Sequence, residues 1–222
     1  MKPDVCAYCG APDPRSRDHV PPAGLFGEPR PSDLITVPSC FACNHGASKD
    51  DEYFRLVVSA TADPDVFRDA RAAFQAALRN LRRPQAAHFN EAILAAMTPA
   101  TLDTPAGPVR TGAITVDNER ISRVTSRIIA GLYYHHRGVP VPSMSSVWST
   151  WVGAVHQKPE ILDALELFRT CIPSSPGRTI GAATFRYAYC FSPDSDVESA
   201  WLLSFFDHVV FIGLINPALS RS

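Results

Sequence analysis

Two Cys-x-x-Cys pairs near the N-terminus constrain the fold of this chain more than any other feature. Cys6 and Cys9 form the first pair, and Cys40 and Cys43 form the second. Each pair can present two sulfurs from one tight turn, and four thiolates suit tetrahedral zinc. Zinc ribbons usually separate their pairs by about 15–20 residues, whereas 30 residues lie between Cys9 and Cys40. The spacing therefore predicts a structural zinc site that encloses a further segment.

The enclosed segment and its flank carry a second set of polar residues. Asp18 and His19 open an Asp-His-Val-Pro stretch, Asp33 precedes a short hydrophobic strand, and Asn44 directly follows the second cysteine pair. This order of Cys-x-x-Cys, Asp-His-Val-Pro, strand and Cys-x-x-Cys-Asn resembles the zinc-clasped HNH endonucleases. The resemblance covers roughly the first quarter of the chain, residues 1–55.

The resemblance implies a ββα-metal unit, in which a hairpin presents the histidine and a helix presents a metal ligand. It implies that His19 is the general base for the attacking water and that Asp18 and Asn44 bind a catalytic divalent ion. Asp33 stands where the family usually has an asparagine that holds the hairpin loop and orients the histidine. A carboxylate at that position accepts hydrogen bonds but cannot donate one as an amide does.

The same side chains suit phosphodiester hydrolysis on chemical grounds. That reaction needs an activated water and neutralisation of the phosphate charge. An imidazole can act as a base near neutral pH, and Mg²⁺ or Mn²⁺ prefers oxygen ligands. Adjacent strand residues point to opposite faces, so Asp18 and His19 can flank one phosphate.

His45 is the alternative metal ligand to Asn44. Successive helix residues lie about 100° apart, so both side chains should not reach one ion. On chemistry alone His45 is the better ligand for a transition metal, whereas the family pattern favours Asn44.

The charge distribution indicates where nucleic acid, expected to be double-stranded DNA, could bind. The chain has a net charge of −1, but residues 68–137 contain ten arginines and five acidic residues. Arg120, Arg123 and Arg127 form a row at i, i+3 and i+7 on a predicted helix. This row is a candidate surface for phosphate groups, and it could equally pair with acidic neighbours.

Length and composition limit the class of protein. The 222 residues, 45% of them hydrophobic, allow one or two domains with a substantial core. No apolar run reaches the length of a membrane span, and no signal-peptide pattern is present. We therefore expect a soluble, cytoplasmic protein without membrane association. The remaining cysteines, Cys171 and Cys190, are predicted to be buried, inert thiols.

Hydrophobic periodicity predicts an α+β protein with a zinc-clasped unit over residues 1–60 and a mixed domain over 61–222, its helices packed on a mainly antiparallel sheet. The predicted features are an N-cap at Ser39, helices over 66–83 and 89–97, an exposed loop or boundary over 98–108, a helix from an Asn118 cap to Gly138, a helix over 159–170, and strands over 179–192 and 199–216 with a turn at Asp207 and His208.

Two alternatives to a self-sufficient nuclease remain open. The chain could be a zinc-bound nucleic-acid or protein interaction module without catalysis. It could also be a nuclease effector of a restriction or phage-defence system, in which residues 61–222 dock a partner or sense an effector.

Overall fold

The N-terminal part of the chain contains an antiparallel strand pair followed by two helices. This computed structural model describes residues 5–62, 66–104, 107–153, 168, 177–182 and 184–216. In chain order the first elements are β1 (Ser16–Val20), a 3₁₀ turn (Ala23–Leu25), β2 (Ile35–Ser39), α1 (Phe41–Gly46) and α2 (Ser48–Thr61). In the pairing of β1 with β2, Asp18 is opposite Val37 and His19 is opposite Thr36.

The predicted N-cap of α1 is wrong by one residue. Cys40 occupies the N-cap position, and no side chain caps this end. Ser39 is instead the last residue of β2, where it is buried and its hydroxyl donates to the Cys40 carbonyl oxygen at 3.3 Å. Because the second cysteine pair starts at the helix terminus, Cys40 itself occupies the N-cap position.

The middle of the chain contains two helices and an exposed hairpin. These elements are α3 (Arg68–Leu81), α4 (Ala87–Ala95), β3 (Met97–Thr104) and β4 (Gly107–Ile114). The predicted loop over 98–108 is therefore wrong in conformation, since most of it lies in paired strands. A two-stranded ribbon has only edge strands, so it tolerates the prolines that indicated a loop.

The N-cap of the long helix α5 (Asn118–Arg137) lies one residue earlier than predicted. Asp117 is the N-cap, and its carboxylate accepts from the backbone N–H groups of Glu119 and Arg120, both at 3.1 Å. The negative charge of Asp117 also suits the positive end of the helix dipole. The predicted end is confirmed, because Gly138 caps the helix with a φ of 77°.

The C-terminal part forms a five-stranded sheet in the order β5-β9-β8-β7-β6, with every neighbouring pair antiparallel. Its strands are β5 (Ser146–Trp151), β6 (Arg178–Ile180), β7 (Phe185–Phe191), β8 (Ser199–Phe205) and β9 (Val209–Asn216). The predicted turn between the last two strands is confirmed, with Phe206 and Asp207 at φ of 54° and 55°. Cys190 is half-buried, while Cys171 and the helix predicted over 159–170 lie outside the described residues, apart from Phe168.

Helix α5 lies between the β1–β2 hairpin, α2 and the five-stranded sheet, and it contacts all three. One buried core joins them through Val20 and Val37 of the hairpin, Phe54 of α2, Leu132 of α5 and Phe211 of β9. The core is thus continuous across residue 60. The predicted α+β class with mainly antiparallel sheets is confirmed. No helix in the described ranges has the length and apolar character needed to cross a bilayer.

Candidate functional site

The four cysteines of the two Cys-x-x-Cys pairs come together in space, as predicted. Their sulfur atoms all lie within 4.8 Å of one another, and the Sγ atoms of Cys9 and Cys40 are 3.8 Å apart. That separation is too long for a disulfide, whose S–S bond is about 2.05 Å. It matches the edge, about 3.8 Å, of a tetrahedron with metal–sulfur distances of about 2.3 Å. The cluster can hold a metal ion and is compatible with structural zinc.

The backbone around Cys6 favours the thiolate form that a metal requires. Burial acts to raise the pKa of Cys6, but backbone hydrogen bonds from Cys40, Cys9 and Tyr8 outweigh it and lower that pKa to about 6. At Cys43, burial and the neighbouring thiols raise the pKa instead. Four thiolates this close repel one another, so a cation is needed to keep all of them ionised.

Asp18 is almost fully buried and is held by two side chains from other parts of the chain. Its Oδ2 atom accepts a hydrogen bond from the Tyr8 hydroxyl at 2.5 Å and an ion-paired one from Nη2 of Arg127. Both bonds fall on the same carboxylate oxygen. Burial, together with the Asp18 charge, raises the pKa of Tyr8, so its hydroxyl stays protonated and donates.

Arg127 links Asp18 to helix α2. Its Nη1 atom lies 3.2 Å from each carboxylate oxygen of Asp51, and its guanidinium carbon is 4.9 Å from the centre of the Tyr8 ring. Burial raises the pKa of Asp51 to about 6, although Arg127 acts to lower it. One guanidinium therefore joins two carboxylates that belong to β1 and α2.

Asn44 is placed beside the strand that carries Asp18 and His19. Its Nδ2 atom donates to Oγ of Ser16 at 3.2 Å and to the carbonyl oxygen of Arg17 at 3.4 Å. These bonds use the amide nitrogen and leave the amide oxygen for another partner. Helix α1 is thereby tied to β1 directly before the Asp-His dipeptide.

His19 lies on the face of β1 opposite to Asp18, because successive strand residues alternate. Its ring is half-buried, and it makes no side-chain hydrogen bond within the described part of the chain. Arg17 shares this face, and its guanidinium donates to the hydroxyl and carbonyl oxygens of Thr36 at 2.9–3.0 Å. Arg17 has no acidic partner among the described residues, so a fixed positive charge accompanies His19.

The two other predicted site residues, His45 and Asp33, do not contact Asp18, His19 or Asn44 in any described interaction. His45 stacks on the exposed ring of Phe41, with 4.1 Å between ring centres, and it lies outside the cysteine cluster. Asp33 is exposed in the turn before β2, and its side chain forms no hydrogen bond with any described residue.

The arginine row of α5 is paired with acidic residues, the alternative that the sequence left open. Arg120 and Arg123 bind opposite oxygens of Asp50 at 2.7 and 2.8 Å, and Arg127 binds Asp18 and Asp51. Asp50 and Asp51 are adjacent in the first turn of α2, and this local negative charge in the sequence could have indicated the pairing. Nothing local in the sequence indicated that Tyr8 would contact Asp18.

The site thus combines a sulfur cluster with a nearby group of oxygen donors and one imidazole. No protein-family model, no curated protein and no solved structure matches this chain. Its function is therefore inferred from the chemistry of its own side chains.

Proposed function

We propose that this protein is a divalent-metal-dependent endonuclease that hydrolyses phosphodiester bonds in DNA. The observation that supports this most is the pair of hydrogen bonds from Asn44 to β1, immediately before Asp18 and His19. They tie helix α1 to the strand that carries Asp18 and His19, and the resemblance to HNH endonucleases makes Asn44, Asp18 and His19 catalytic. The order β1, β2, α1 and the adjoining cysteine cluster are in keeping with the same resemblance.

The residues present fit a hard divalent ion. Asn44 keeps its amide oxygen available, and the two bonds to Asp18 occupy only Oδ2, which leaves Oδ1 for a cation. Two protein oxygens are the usual number for Mg²⁺, with water and phosphate oxygens supplying the rest. When bound, such an ion would supply charge neutralisation at the phosphate.

His19 would act as general base. Its ring has no competing side-chain hydrogen bond in the described chain, so a ring nitrogen is available to take the proton of the attacking water. Arg17, held by Thr36 on the same face of β1, supplies a fixed positive charge. Preorganised charge of this kind stabilises the negative charge that develops on the phosphate oxygens.

Replacement of His19 tests the proposed role. We expect His19→Ala to keep its fold and its thiolate-bound metal but to lose at least about 100-fold in DNA cleavage, the usual range for a general base. The measurement is the rate of plasmid nicking with Mg²⁺ or Mn²⁺, together with metal analysis. His45→Ala serves as the control and should cleave like the parent. Parent-like cleavage by His19→Ala rules out this mechanism.

One observation favours a second function, a DNA-binding module without catalysis. The charge of Asp18 is already neutralised by Arg127, so this carboxylate is a weaker metal ligand than a free one. Tight DNA binding by purified protein that shows no cleavage with either divalent ion would favour this function over the nuclease.

A further inference from the structure

Three arginines at the C-terminal end of α3 differ from the α5 row in having no acidic partner among the described residues. Arg79, Arg82 and Arg83 lie at the C-terminal end of α3, all three are exposed, and none forms an ion pair within the described residues. The three arginines of the α5 row, by contrast, bind carboxylates. Uncompensated positive charge therefore lies at this end of α3, as it does at Arg17 of β1, although α5 carries the more regular arginine row.

Arg55 of α2 adds a fourth positive charge at this place. It lines one small cavity together with Ala77, Asn80 and Leu81, so it lies beside the end of α3 that carries Arg79 and Arg83. In keeping with this position, burial lowers the pKa of Arg55, Glu52 acts to raise it, and the charges of Arg83 and Arg79 lower it further. We name Arg55, Arg79 and Arg83 the cationic cluster.

Arg55 is itself without a partner in the described chain. No hydrogen bond or ion pair to its guanidinium is formed there, and its Nε atom is buried and unsatisfied. Glu52, one turn earlier on α2, lines the same cavity but forms no ion pair with Arg55. A half-buried guanidinium without a hydrogen-bonded counter-ion is costly, since charged groups lose hydration on burial. An anionic ligand would recover that cost.

The cluster adjoins the segment that follows the Asp-His dipeptide. A Cβ atom on Gly24, in the 3₁₀ turn, would lie 2.9 Å from Nη1 of Arg55, and both α2 and α3 contact this turn. Gly24 is five residues beyond His19, so their Cα atoms are at most about 17 Å apart. That distance corresponds to about five base pairs of a duplex, whose phosphates repeat about every 3.4 Å along each strand, so one duplex can reach both places.

We propose that the cationic cluster binds the phosphate backbone of a DNA duplex and positions it against the His19 face, an inference that rests on the proposed function. Arginine suits this role because its guanidinium is always charged and donates hydrogen bonds to phosphate oxygens. The helix dipole also favours basic residues at the C-terminus of α3. The dipole does not account for Arg55, which belongs to the middle of α2.

A binding measurement without catalysis separates this inference from the nuclease chemistry. The probe is a labelled 30-base-pair duplex, titrated with intact, metal-loaded protein in buffer without Mg²⁺ or Mn²⁺, at several salt concentrations. We expect the double variant Arg79→Gln, Arg83→Gln to bind about tenfold or more weakly at low salt. The slope of log K against log salt should fall by about 1.8, since each duplex phosphate contact contributes about 0.9.

A charge-matched control is Arg68→Gln, Arg110→Gln. These arginines are exposed on the other end of α3 and on β4, and the control removes the same charge. It should bind like the parent, and Arg79→Lys, Arg83→Lys should recover most of the affinity, because a backbone contact depends mainly on charge. A lower melting temperature with unchanged DNA affinity would assign Arg79 and Arg83 to helix stability instead.

Three results would overturn the inference. The first is a parent protein that does not bind duplex DNA at low salt, as expected if the cluster binds an acidic protein. The second is an equal loss of affinity in the cluster variant and the control. The third is an unchanged salt slope in the cluster variant. Cleavage defects in His19→Ala with intact binding bear only on the nuclease chemistry, so the two proposals fail separately.

Discussion

At the scale of single residues, the environment of Arg127 is the feature with most consequences. One guanidinium contacts Asp18, Asp51 and the face of the Tyr8 ring, and its Nε atom is buried without a partner. A carboxylate is costly to ionise in this poorly hydrated place. Asp51 bears this cost, because burial raises its pKa to about 6.

The raised pKa of Asp51 predicts a pH dependence of stability. Between its ordinary value of 3.8 and about 6, folded Asp51 keeps a proton that the unfolded chain has lost. Asp51 therefore stabilises the fold below pH 4, and this contribution is lost as the pH rises through 6. Asp51→Asn cannot titrate, so we expect the parent to lose about 1–3 kcal/mol relative to this variant over that window.

Urea unfolding of both proteins at pH 4, 5, 6 and 7, without added divalent ions, measures this difference. A constant offset between the two stability curves at all four pH values would contradict it. Substitution of Asp51 also removes a partner of Arg127, but that effect shifts the curves without creating a slope.

The sequence predicted those parts of the site that depend on residues close together in the chain, and it did not predict contacts between distant residues. The cysteine cluster was predictable because each pair is local and the chemistry of four thiolates admits few alternatives. The contact between Asp18 and Arg127 spans 109 residues, and no local pattern indicates it. The interpretation of the α5 row as a DNA surface depended on partners that only the packing of α2 against α5 supplies.

At the scale of elements, the packing of α5 requires its backbone to approach the neighbouring strands closely. A Cβ atom on Gly131 would lie 2.7 Å from Cγ2 of Val20, so glycine lets α5 pack directly on β1. On its other side, a Cβ atom on Gly213 of β9 would meet Ile129 and would lie 2.8 Å from the carbonyl oxygen of Trp148. The helix is thus held between the hairpin and the sheet with no room for added atoms.

Gly213→Ala should therefore destabilise the protein by about 1–3 kcal/mol, the usual cost of overpacking a tight core. Part of the clash is with a backbone carbonyl, which cannot move aside as a flexible side chain does. Thermal unfolding followed by circular dichroism measures the effect. Gly27→Ala is the control, since its nearest contact would be an ordinary 3.7 Å from Cβ of Ala72. Equal melting temperatures for the two variants would show that α5 has space above β9.

Helices and strands were predicted correctly where one clear pattern, either hydrophobic periodicity or a strong capping residue, defines them without a competing signal. The apolar stretches of β8 and β9 and the Gly138 end of α5 are of this kind. The β3–β4 hairpin was missed because its prolines are compatible with both a loop and an isolated ribbon. The caps at Asp117 and Cys40 were missed by one residue. Asn118 is as good a capping residue as Asp117, and Ser39 is a better one than Cys40, so the composition favoured the neighbouring position in both cases.

At the scale of the whole molecule, the cysteine cluster and the shared core act on the same unit. The cluster joins the N-terminal turn to the start of α1, while Val20 and Val37 of the adjoining hairpin belong to the core that includes α5 and the sheet. An N-terminal unit that shares its core with the remainder should not unfold alone. A metal ion held by the cluster would therefore stabilise more than the residues that surround it.

Loss of the metal should accordingly lower the stability of the entire protein in one step. Metal binding by cysteine clusters contributes folding free energy directly, so we expect Cys40→Ser, or prolonged chelation of the parent, to lower the melting temperature by about 10 °C or more. Calorimetry combined with metal analysis tests this, with Cys190→Ser as a control that keeps the metal. A cooperative core requires a single transition that moves as a whole. Two separate transitions, with only the smaller one sensitive to chelation, would mean that the hairpin and its cysteines fold independently of α5 and the sheet.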